Sequence, residues 1–322
     1  MRILNLVENC KRIAISGHEN PDGDCAGSCC GLALFMRKKM PGAQIDIFLE
    51  PLPDNLSRNI PGSETIIHEI SEMQEHYDAF ILLDCSPERL EKAKLLYQEA
   101  PVKINIDHHI TNKGSSDAFC YIEGQASSAC ELVYNIIGEE DLDAAIAKAL
   151  YVGIVTDTGV FQYSNTAEST MRAAGRLMQY GFDHSAVIRE VFFERTFLQA
   201  KALGAALLKS EAILGGKCVI CCMDRSQIEE LGAQRKDLDS ISAQMLLTRG
   251  ADCSVFLHET EPGVWRGSFR SALITDVART ASLFEGGGHV RAAGCTIRSD
   301  IGAAIETIKA DIARQLESAH AL

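Results

Sequence analysis

The sequence contains fewer basic than acidic residues, and this imbalance restricts what the protein can bind. Its 322 residues include 31 Lys and Arg against 44 Asp and Glu, which gives a formal net charge of −13. Proteins that hold long duplex nucleic acids by their phosphates need the opposite charge. We therefore exclude long duplexes as partners, whereas short anionic substrates stay compatible if metal ions and a local basic patch offset the charge.

Several other features are missing. No apolar run approaches the length of a membrane span, and the N-terminal ten residues are too polar for a signal peptide. The 12 cysteines include no pair of CxxC motifs, which argues against structural zinc and favours reduced thiols. Repeats and low-complexity segments are absent. We therefore expect a soluble, cytoplasmic protein without a membrane partner, and 46% hydrophobic residues suffice for two domains.

Strands and helices alternate through the first half of the sequence. Short apolar runs favour strands, and longer segments between them have helical patterns. The predicted strands are Ile13–Ser16, Gln44–Glu50, Asp78–Asp84 and Val102–Asp107, and the predicted helices are Ala26–Lys39, Glu88–Ala100, Ser127–Ile137 and Asp141–Leu150. This alternation predicts an α/β fold whose N-terminal domain is a parallel sheet with helices on both faces.

The second half of the sequence has a different pattern. Two helices are predicted at Glu168–Tyr180 and Ser185–Gly204, and the second of them is expected to link two domains. After about Leu207 the pattern is richer in strands, which are predicted at Lys209–Leu214, Lys217–Met223, Cys253–Glu259 and Val264–Ser271. We therefore expect a first domain over residues 1–184, a helical connector over 185–206 and a second domain over 207–322.

The segment from His18 to Asp24 carries the densest group of ligand-type side chains. It contains His18, Asp22 and Asp24 directly after a predicted strand, and Pro21 and Gly23 favour a tight turn. Such a turn can direct one imidazole and two carboxylates at one point. Nitrogen and oxygen donors suit a divalent cation, although an ordinary polar loop would have the same residues.

Three further acids follow strand-like or apolar runs. Asp84 and Asp107 end predicted strands, and Asp157 ends an apolar run. Alone, Asp84 could be a helix cap and Asp157 part of a simple turn, whereas the adjacent His108 and His109 are difficult to explain as core residues. Because sites in parallel sheets form at the carboxyl ends of the strands, these residues are expected at one edge of one sheet.

Four aspartates that converge on one edge would repel one another and raise one another's pKa. Two divalent cations carry the four positive charges that balance four carboxylates, and the two histidines would complete their coordination. Pairs of ions are a recurring device for the hydrolysis of phosphate esters. The combined pattern therefore predicts a two-metal site with that chemistry.

A second candidate site lies near the C-terminus, where arginines and glycines are concentrated. Between positions 266 and 298 the only acids are Asp276 and Glu285, whereas the arginines are Arg266, Arg270, Arg279, Arg291 and Arg298. The run Gly286, Gly287, Gly288 and His289 falls within this stretch. Glycine N–H groups can approach a phosphate closely, and arginine forms bidentate contacts with it, although a solvated face would also be basic.

In this order, the motifs resemble those of the DHH phosphoesterase superfamily. The matching positions are His18, Asp22, Asp24, Gly27, Ser28, Asp84, Asp107, His108, His109 and Asp157 to Gly159. The run Gly286–His289, followed by Ala292 to Gly294, resembles the glycine-rich motif of the DHH-associated C-terminal domain. The resemblance covers nearly the whole chain, is closest in length and domain content to the nano-RNase A group, and implies a smaller C-terminal α/β domain after the catalytic DHH domain.

The resemblance also implies a role for each matching residue. His18 and Asp22 would hold one metal ion, Asp24 and His108 the other, Asp84 would bridge both, and Asp157 would complete the site. His109 would contact the scissile phosphate. Asp107 would not bind a metal ion itself but would support the residues that form the site. The remaining nucleotide contacts would come from Arg270, Gly286, Gly287, Gly288 and His289. Mn²⁺ is the usual ion in this family, and Cys25 is expected to pack near it.

The implied activity is hydrolysis of short oligoribonucleotides or dinucleotides of the pApA type to nucleoside 5′-monophosphates. Two related alternatives stay open, namely a phosphatase for 3′-phosphoadenosine-5′-phosphate and a phosphodiesterase for cyclic dinucleotides. A nucleotide sensor without catalysis is disfavoured because every metal-type residue is present, and an inorganic pyrophosphatase is disfavoured by the Gly286–Gly294 pattern. The sequence leaves a homodimer open.

Overall fold

The computed structural model describes residues 3–320, and its chain divides into two units with the boundary after Glu194. This boundary falls inside the segment 185–206 that we predict to connect two domains. Each unit contains its own sheet and its own buried apolar cluster. Within the described residues, no helix is long and apolar enough to cross a membrane.

The first unit contains a six-stranded sheet in which all strands are parallel. In chain order the strands are β1 (Arg12–Ser16), β2 (Gln44–Phe48), β3 (Ile66–Ile67), β4 (Ala79–Leu83), β5 (Val102–Asp107) and β6 (Phe119–Ile122). Their order across the sheet is β3-β2-β1-β4-β5-β6. The order reverses direction between β1 and β4, which is where open parallel sheets place their sites.

Helices cover both faces of this sheet, but unequally. The helices of the first unit are α1 (Ile3–Leu6), α2 (Gly23–Lys39), α3 (Asp54–Ser57), α4 (Lys94–Glu99), α5 (Ala129–Ile137), α6 (Ala144–Asp157), α7 (Glu168–Met178) and α8 (His184–Ile188). Ile13 and Ile15 of β1 point into the larger core with α2, α5 and α6, whereas Ala14 points to a smaller core near α4. All of β4 is buried because both of its faces are covered, which explains its uninterrupted apolar sequence.

The second unit contains a mixed six-stranded sheet with helices around it. Its helices are α9 (Phe197–Lys209), α10 (Arg225–Leu231), α11 (Ile241–Leu246), α12 (Val277–Ala281) and α13 (Ile301–His320). Its strands are β7 (Glu211–Ile213), β8 (Cys218–Met223), β9 (Cys253–Glu261), β10 (Val264–Ser271), β11 (Glu285–His289) and β12 (Ala292–Ile297), in the order β11-β12-β10-β9-β8-β7. Only the pair β8–β9 is parallel among these neighbours.

The structure corrects two of the predicted elements. The predicted helix Glu88–Ala100 is a short 3₁₀ turn followed by the six residues of α4. The predicted helix Ser185–Gly204 is α8, a π-helical turn at Arg189–Phe193 and then α9, which starts anew at the N-cap Thr196. The glycine run at 286–288 lies within strand β11. Boundaries depend on caps and partner strands, which periodicity alone does not reveal.

Candidate metal centre

His18 follows β1 and directs its imidazole toward two carboxylates. Its Nδ1 lies 2.8 Å from the carbonyl oxygen of Glu19, so this nitrogen carries the proton and donates it. Its Nε2 lies 3.3 Å from Asp84 Oδ2 and 3.8 Å from Asp22 Oδ1. A backbone carbonyl that holds one ring nitrogen in this way leaves the other for a metal ion.

Asp22 and Asp24 mark the start of helix α2. Asp22 is its N-cap, because its Oδ1 accepts hydrogen bonds from the N–H groups of Asp24 and Cys25 at 3.0 Å each. Asp24 therefore lies in the first turn of α2. The turn signals in the sequence had instead indicated that it lies in the preceding loop. The two oxygens of Asp24 accept the N–H groups of Ala129 and Cys130, at 2.6 and 2.9 Å. These donors belong to the start of α5, where the helix dipole favours a negative charge.

Asp84 lies at the centre of the cluster, immediately after β4. Its backbone has φ of 54°, a left-handed conformation that a residue other than glycine rarely adopts. Its side chain is almost fully buried, and its Oδ1 lacks a hydrogen-bond partner within residues 3–320. His108 Nε2 is 3.4 Å from that oxygen, while His18 approaches the other one. Asp84 thus faces both histidines at once.

His108 and His109 follow β5, and their rings contact different residues. His108 Nε2 lies 3.4 Å from Asp84, 3.7 Å from Asp157 and 3.8 Å from Asp24. His109 Nδ1 instead donates to Asp107 Oδ1 at 2.7 Å, and the backbone N–H of His109 donates to the same oxygen. Asp107 therefore fixes the ring of His109, in keeping with the supporting role that the resemblance implies.

Asp157 reaches the cluster from a helix, whereas the sequence showed only that it follows an apolar run and led us to expect it at the edge of the sheet with the strand ends. It is the last residue of α6, and residues 151–157 continue that helix. The helix is apolar almost all round because it packs against α2 and the core. Short apolar runs in buried helices cannot be told from buried strands by periodicity, which explains this difference.

Burial and mutual repulsion change the protonation of the cluster. Burial, with the charges of Asp84 and Asp157, raises the pKa of Asp24 well above its ordinary value. Burial also raises the pKa of Asp157, to about 6. Burial alone would lower the pKa of His108, but the nearby carboxylates of Asp84, Asp24 and Asp157 raise it to about 10. Without metal ions, the raised pKa values of Asp24, Asp157 and His108 favour their protonated forms, and these protons offset the negative charge of the cluster.

Three groups of ligand atoms could each surround a metal ion, and in each group the atoms lie within 4.8 Å of one another. They are His18 with Cys25 and Asp84, Asp84 with His108 and His109, and Asp24 with His108 and Asp157. Asp84 belongs to two groups, which suits a bridging carboxylate, and its unpartnered Oδ1 is open to a cation. The donor set of carboxylates and imidazoles fits Mn²⁺ or a similar ion. Asp22 is in none of these three groups, and its Oδ1 lies 3.8 Å from His18 Nε2.

A layer of polar residues that the sequence reasoning missed supports these ligands. Asn112 donates to Asp107 Oδ2 at 2.6 Å and to Asn105 Oδ1 at 2.9 Å. Asn165 donates to the carbonyl oxygens of Ser127 and Asp157. Asn112 is 5 positions from Asp107 and Asn165 is 8 positions from Asp157, and because asparagine is common in loops, no sequence signal distinguished them.

Three of the candidate residues of the second unit, Arg270, Gly287 and His289, share one face of its sheet, whereas Gly286 and Gly288 face the other side, toward Cys295 and Ala293. Arg270 of β10 and His289 of β11 are both paired in register with Ala292 of β12, so the two side chains lie on either side of Ala292. Gly287 pairs with Gly294 on the same face, and within the described residues nothing lies within 4 Å of a Cβ added at Gly287. Gly288 has φ of 145°, which favours glycine there.

The chain is similar to known proteins. Residues 12–154 match the DHH family, N-terminal domain. The chain is 27% identical over 310 residues to the bifunctional oligoribonuclease and PAP phosphatase NrnA of Bacillus subtilis, covering 93% of this chain and 92% of that protein.

Solved structures show the same fold. An exopolyphosphatase-related protein from Bacteroides fragilis matches 96% of this chain and 94% of its own, with a TM-score of 0.85 and 23% identity. A manganese-bound exonuclease RecJ matches 96% of this chain and 93% of its own, with a TM-score of 0.55 and 16% identity.

Proposed function

We propose that this chain, whose residues 12–154 match the DHH family, N-terminal domain, is a two-metal phosphoesterase that hydrolyses short oligoribonucleotides to nucleoside 5′-monophosphates. The name of the Bacillus subtilis relative, an oligoribonuclease and PAP phosphatase, supports this substrate class. The net charge of −13 is compatible with a short substrate because only a small region must contact its phosphates.

One observation carries the proposal, namely the convergence on Asp84 of histidines from two different strand ends. His18 and His108 are 90 positions apart, yet their Nε2 atoms lie 3.3 and 3.4 Å from the two oxygens of this buried carboxylate. Burying so many titratable groups together is costly unless cations balance the carboxylates. A structural role alone does not account for the unpartnered oxygen.

The residues divide between two ion positions. His18 and Asp22 would hold one ion, Asp24, His108 and Asp157 the other, and Asp84 would bridge them. When bound, the two divalent cations would lower the pKa of a water molecule and neutralise charge that develops on the phosphate. The manganese in the RecJ structure supports Mn²⁺ as the ion.

The chain's own contribution to substrate is positioning. His109 is half-exposed beside the ion ligands, and its Nδ1 donates to Asp107, so in the imidazolium form its Nε2–H can donate to a phosphate oxygen. In the second unit Arg270, Gly287 and His289 share one sheet face, and we propose that these residues bind nucleotide groups other than the scissile phosphate. The homodimer and the cytoplasmic location stay predictions from the sequence.

The decisive experiment measures release of AMP from pApA with Mn²⁺ by wild-type protein, Asp84→Asn and Asp54→Asn. We expect Asp84→Asn to lose at least roughly 1,000-fold in rate, since both ion positions depend on this carboxylate. Asp54 is an exposed acid at the start of α3 and serves as the matched control with an unchanged rate. An equal rate for Asp84→Asn and wild type would rule out the bridging role.

A second substrate is favoured by the bifunctional name of the relative. We propose that the same centre removes the 3′-phosphate of 3′-phosphoadenosine-5′-phosphate. Release of inorganic phosphate from this compound, compared with release of AMP from pApA and from a cyclic dinucleotide, ranks the three substrates. Tight binding of all three without any product would instead support a sensor.

A further inference from the structure

The second unit contains a cavity for which the proposed phosphoesterase activity provides no use. It has a volume of about 440 Å³ and lies among α10, the turn at Arg235 and the ends of β9 and β10. Cavities of this size are typical of small-molecule sites. Every residue that lines it belongs to the second unit.

Three arginines line this cavity, and two of them are not neutralised. Arg225 is paired with Glu229, with 2.5 Å between Nε and Oε1. Arg235 and Arg266, in contrast, have no carboxylate within 4 Å anywhere in residues 3–320. Two unpaired guanidinium groups at one cavity offer the planar fork of donors that binds phosphate.

A buried histidine provides the second, independent observation. His258 of β9 is only 7% exposed, and neither ring nitrogen has a hydrogen-bond partner within the described residues. Its ring stacks on Phe256, with centroids 5.5 Å apart, and it is paired in register with Arg266. Burial and then the charges of Arg235 and Arg266 lower the pKa of His258 to about 4, so the ring is neutral at pH 7 and offers one donor and one acceptor.

The remaining walls suit a nucleotide better than a bare anion. Ile228 and Leu238 provide an apolar wall for a base. Glu259 is occupied by the backbone N–H groups of Arg225 and Gly263, whereas Glu261 is exposed and can accept hydrogen bonds from hydroxyl or amino groups. Acidic, basic and apolar groups together match the ribose, phosphate and base of one nucleotide.

We propose that this cavity is a second nucleotide site, which binds a nucleoside 5′-monophosphate with its phosphate on Arg235 and Arg266 and a polar group on His258. The choice of a monophosphate rests on the proposed function, of which it is the product. Arg270 does not line this cavity, and its Cα lies four residues, or roughly 13 Å, from that of Arg266 along the same strand. Occupancy would thus report product concentration away from the metal ions.

The test observes His258 directly in the full chain with Mg²⁺ present. Protein labelled with ¹⁵N in its histidine rings is titrated with AMP, and the His258 signals are identified as those that vanish in His258→Gln. We expect a saturable shift of these signals. The apparent affinity should fall at least roughly tenfold in Arg235→Ala and in Arg266→Ala, because each loses a charged hydrogen bond.

Two control variants and one further ligand make the result decisive. Arg249→Ala removes the same charge from an exposed position outside the cavity, and Arg270→Ala alters the other candidate site; both should leave the His258 isotherm unchanged. Inorganic phosphate should bind more weakly than AMP. A His258 signal that AMP does not move, equal isotherms for all variants, or equal affinity for phosphate would each overturn the proposal. Absence of pApA hydrolysis with an intact His258 response would refute only the phosphoesterase function.

Discussion

Asp84 keeps an unfavourable backbone conformation at the point where the candidate ligands meet. A residue other than glycine in the left-handed region costs about 1–3 kcal/mol, and such strain persists where the surroundings enforce it. Here the φ of 54° places the carboxylate between His18 and His108. The strained backbone is therefore stronger evidence that Asp84 is a positioned ligand than is its location at the end of a strand.

The support that Asp107 gives to His109 leads to the first prediction. In Asp107→Asn the acceptor of the His109 Nδ1 proton is weakened, so we expect the rate on pApA to fall by about 10- to 100-fold, as for other residues that orient a functional histidine. Mn²⁺ stoichiometry should not change, because Asp107 belongs to none of the three ligand groups.

Asp46→Asn is the control for this prediction, since Asp46 accepts a hydrogen bond from Tyr77 elsewhere in the same sheet. Its rate should equal that of the wild type. Loss of Mn²⁺ binding in Asp107→Asn would contradict a purely orienting role.

Proton displacement by metal ions is the second prediction. The pKa of His108 is raised from 6.5 to about 10 in the protein without ions, so its imidazole is protonated at pH 7 and must lose that proton to bind a cation. Apparent Mn²⁺ affinity should therefore rise with pH from 7 toward 10. Titration calorimetry at pH 7 in buffers with different ionisation enthalpies should show release of protons, and identical heats in all buffers would contradict the prediction.

The raised pKa of His108 also affects the stability of the folded chain without ions. Stability is expected to fall as the pH rises, whereas the Mn²⁺ affinity is expected to increase. Between pH 6.5 and about 10 the folded chain holds this proton more tightly than the unfolded chain does. The stabilisation is fully present below pH 6.5 and is lost as the pH rises through about 10. Unfolding midpoints in a chelating buffer should fall over this range.

At the scale of elements, the contact between α2 and α6 sets the position of two ligands. Gly27 of α2 approaches the carbonyl oxygen of Ala149, and Gly153 of α6 approaches Cys130 and Asp24 so closely that an added Cβ would lie 2.2 Å from Cys130 Sγ and 3.0 Å from Asp24 Oδ1. Small residues on both helices therefore allow the first turn of α2 and the last turn of α6 to meet.

The third prediction tests this packing with Gly153→Ala. The added methyl must displace Cys130 and Asp24, so we expect a loss of about 1–3 kcal/mol in the free energy of unfolding. Mn²⁺ binding should also weaken. Gly175→Ala in α7 is the control, because nothing lies within 4 Å of its added Cβ, and it should be neutral or stabilise by up to about 1 kcal/mol. Equal stability of the two variants would contradict the proposed contact.

Elements whose ends coincide with clear sequence signals are predicted well, and the others are not. The strands β1 and β5 match the predicted Ile13–Ser16 and Val102–Asp107 to within one residue. The apolar run before Asp157 belongs to a helix, because burial on all sides removes the polar face that would have revealed its period.

At the scale of the whole molecule, two units with separate apolar cores are joined in one chain. The residues of the metal centre belong to the first unit alone. Units with their own cores can unfold separately, so a single two-state transition is not expected.

The fourth prediction follows from this separation. Calorimetric melting should show two transitions, and Mn²⁺ at 100 times its dissociation constant should stabilise only the first unit, by about 2.7 kcal/mol. For a unit of this size that is a rise of roughly 5–10 °C in its midpoint, reversed by a chelator. A shift of both transitions, or of neither, would contradict confinement of the ions to the first unit.

The sequence by itself determined the alternation of strands and helices, the identity of the ligand-type residues and the glycine-rich segment, because periodicity and residue chemistry are local properties. Only the tertiary structure decided that Asp24 and Asp157 reach the cluster from helix ends, that asparagines hold Asp107 and Asp157, and that His258 lies unpaired beside two arginines. Those relations depend on which distant segments pack together. The close approach of α2 and α6, for example, exists only in the folded chain and cannot be inferred from either segment alone.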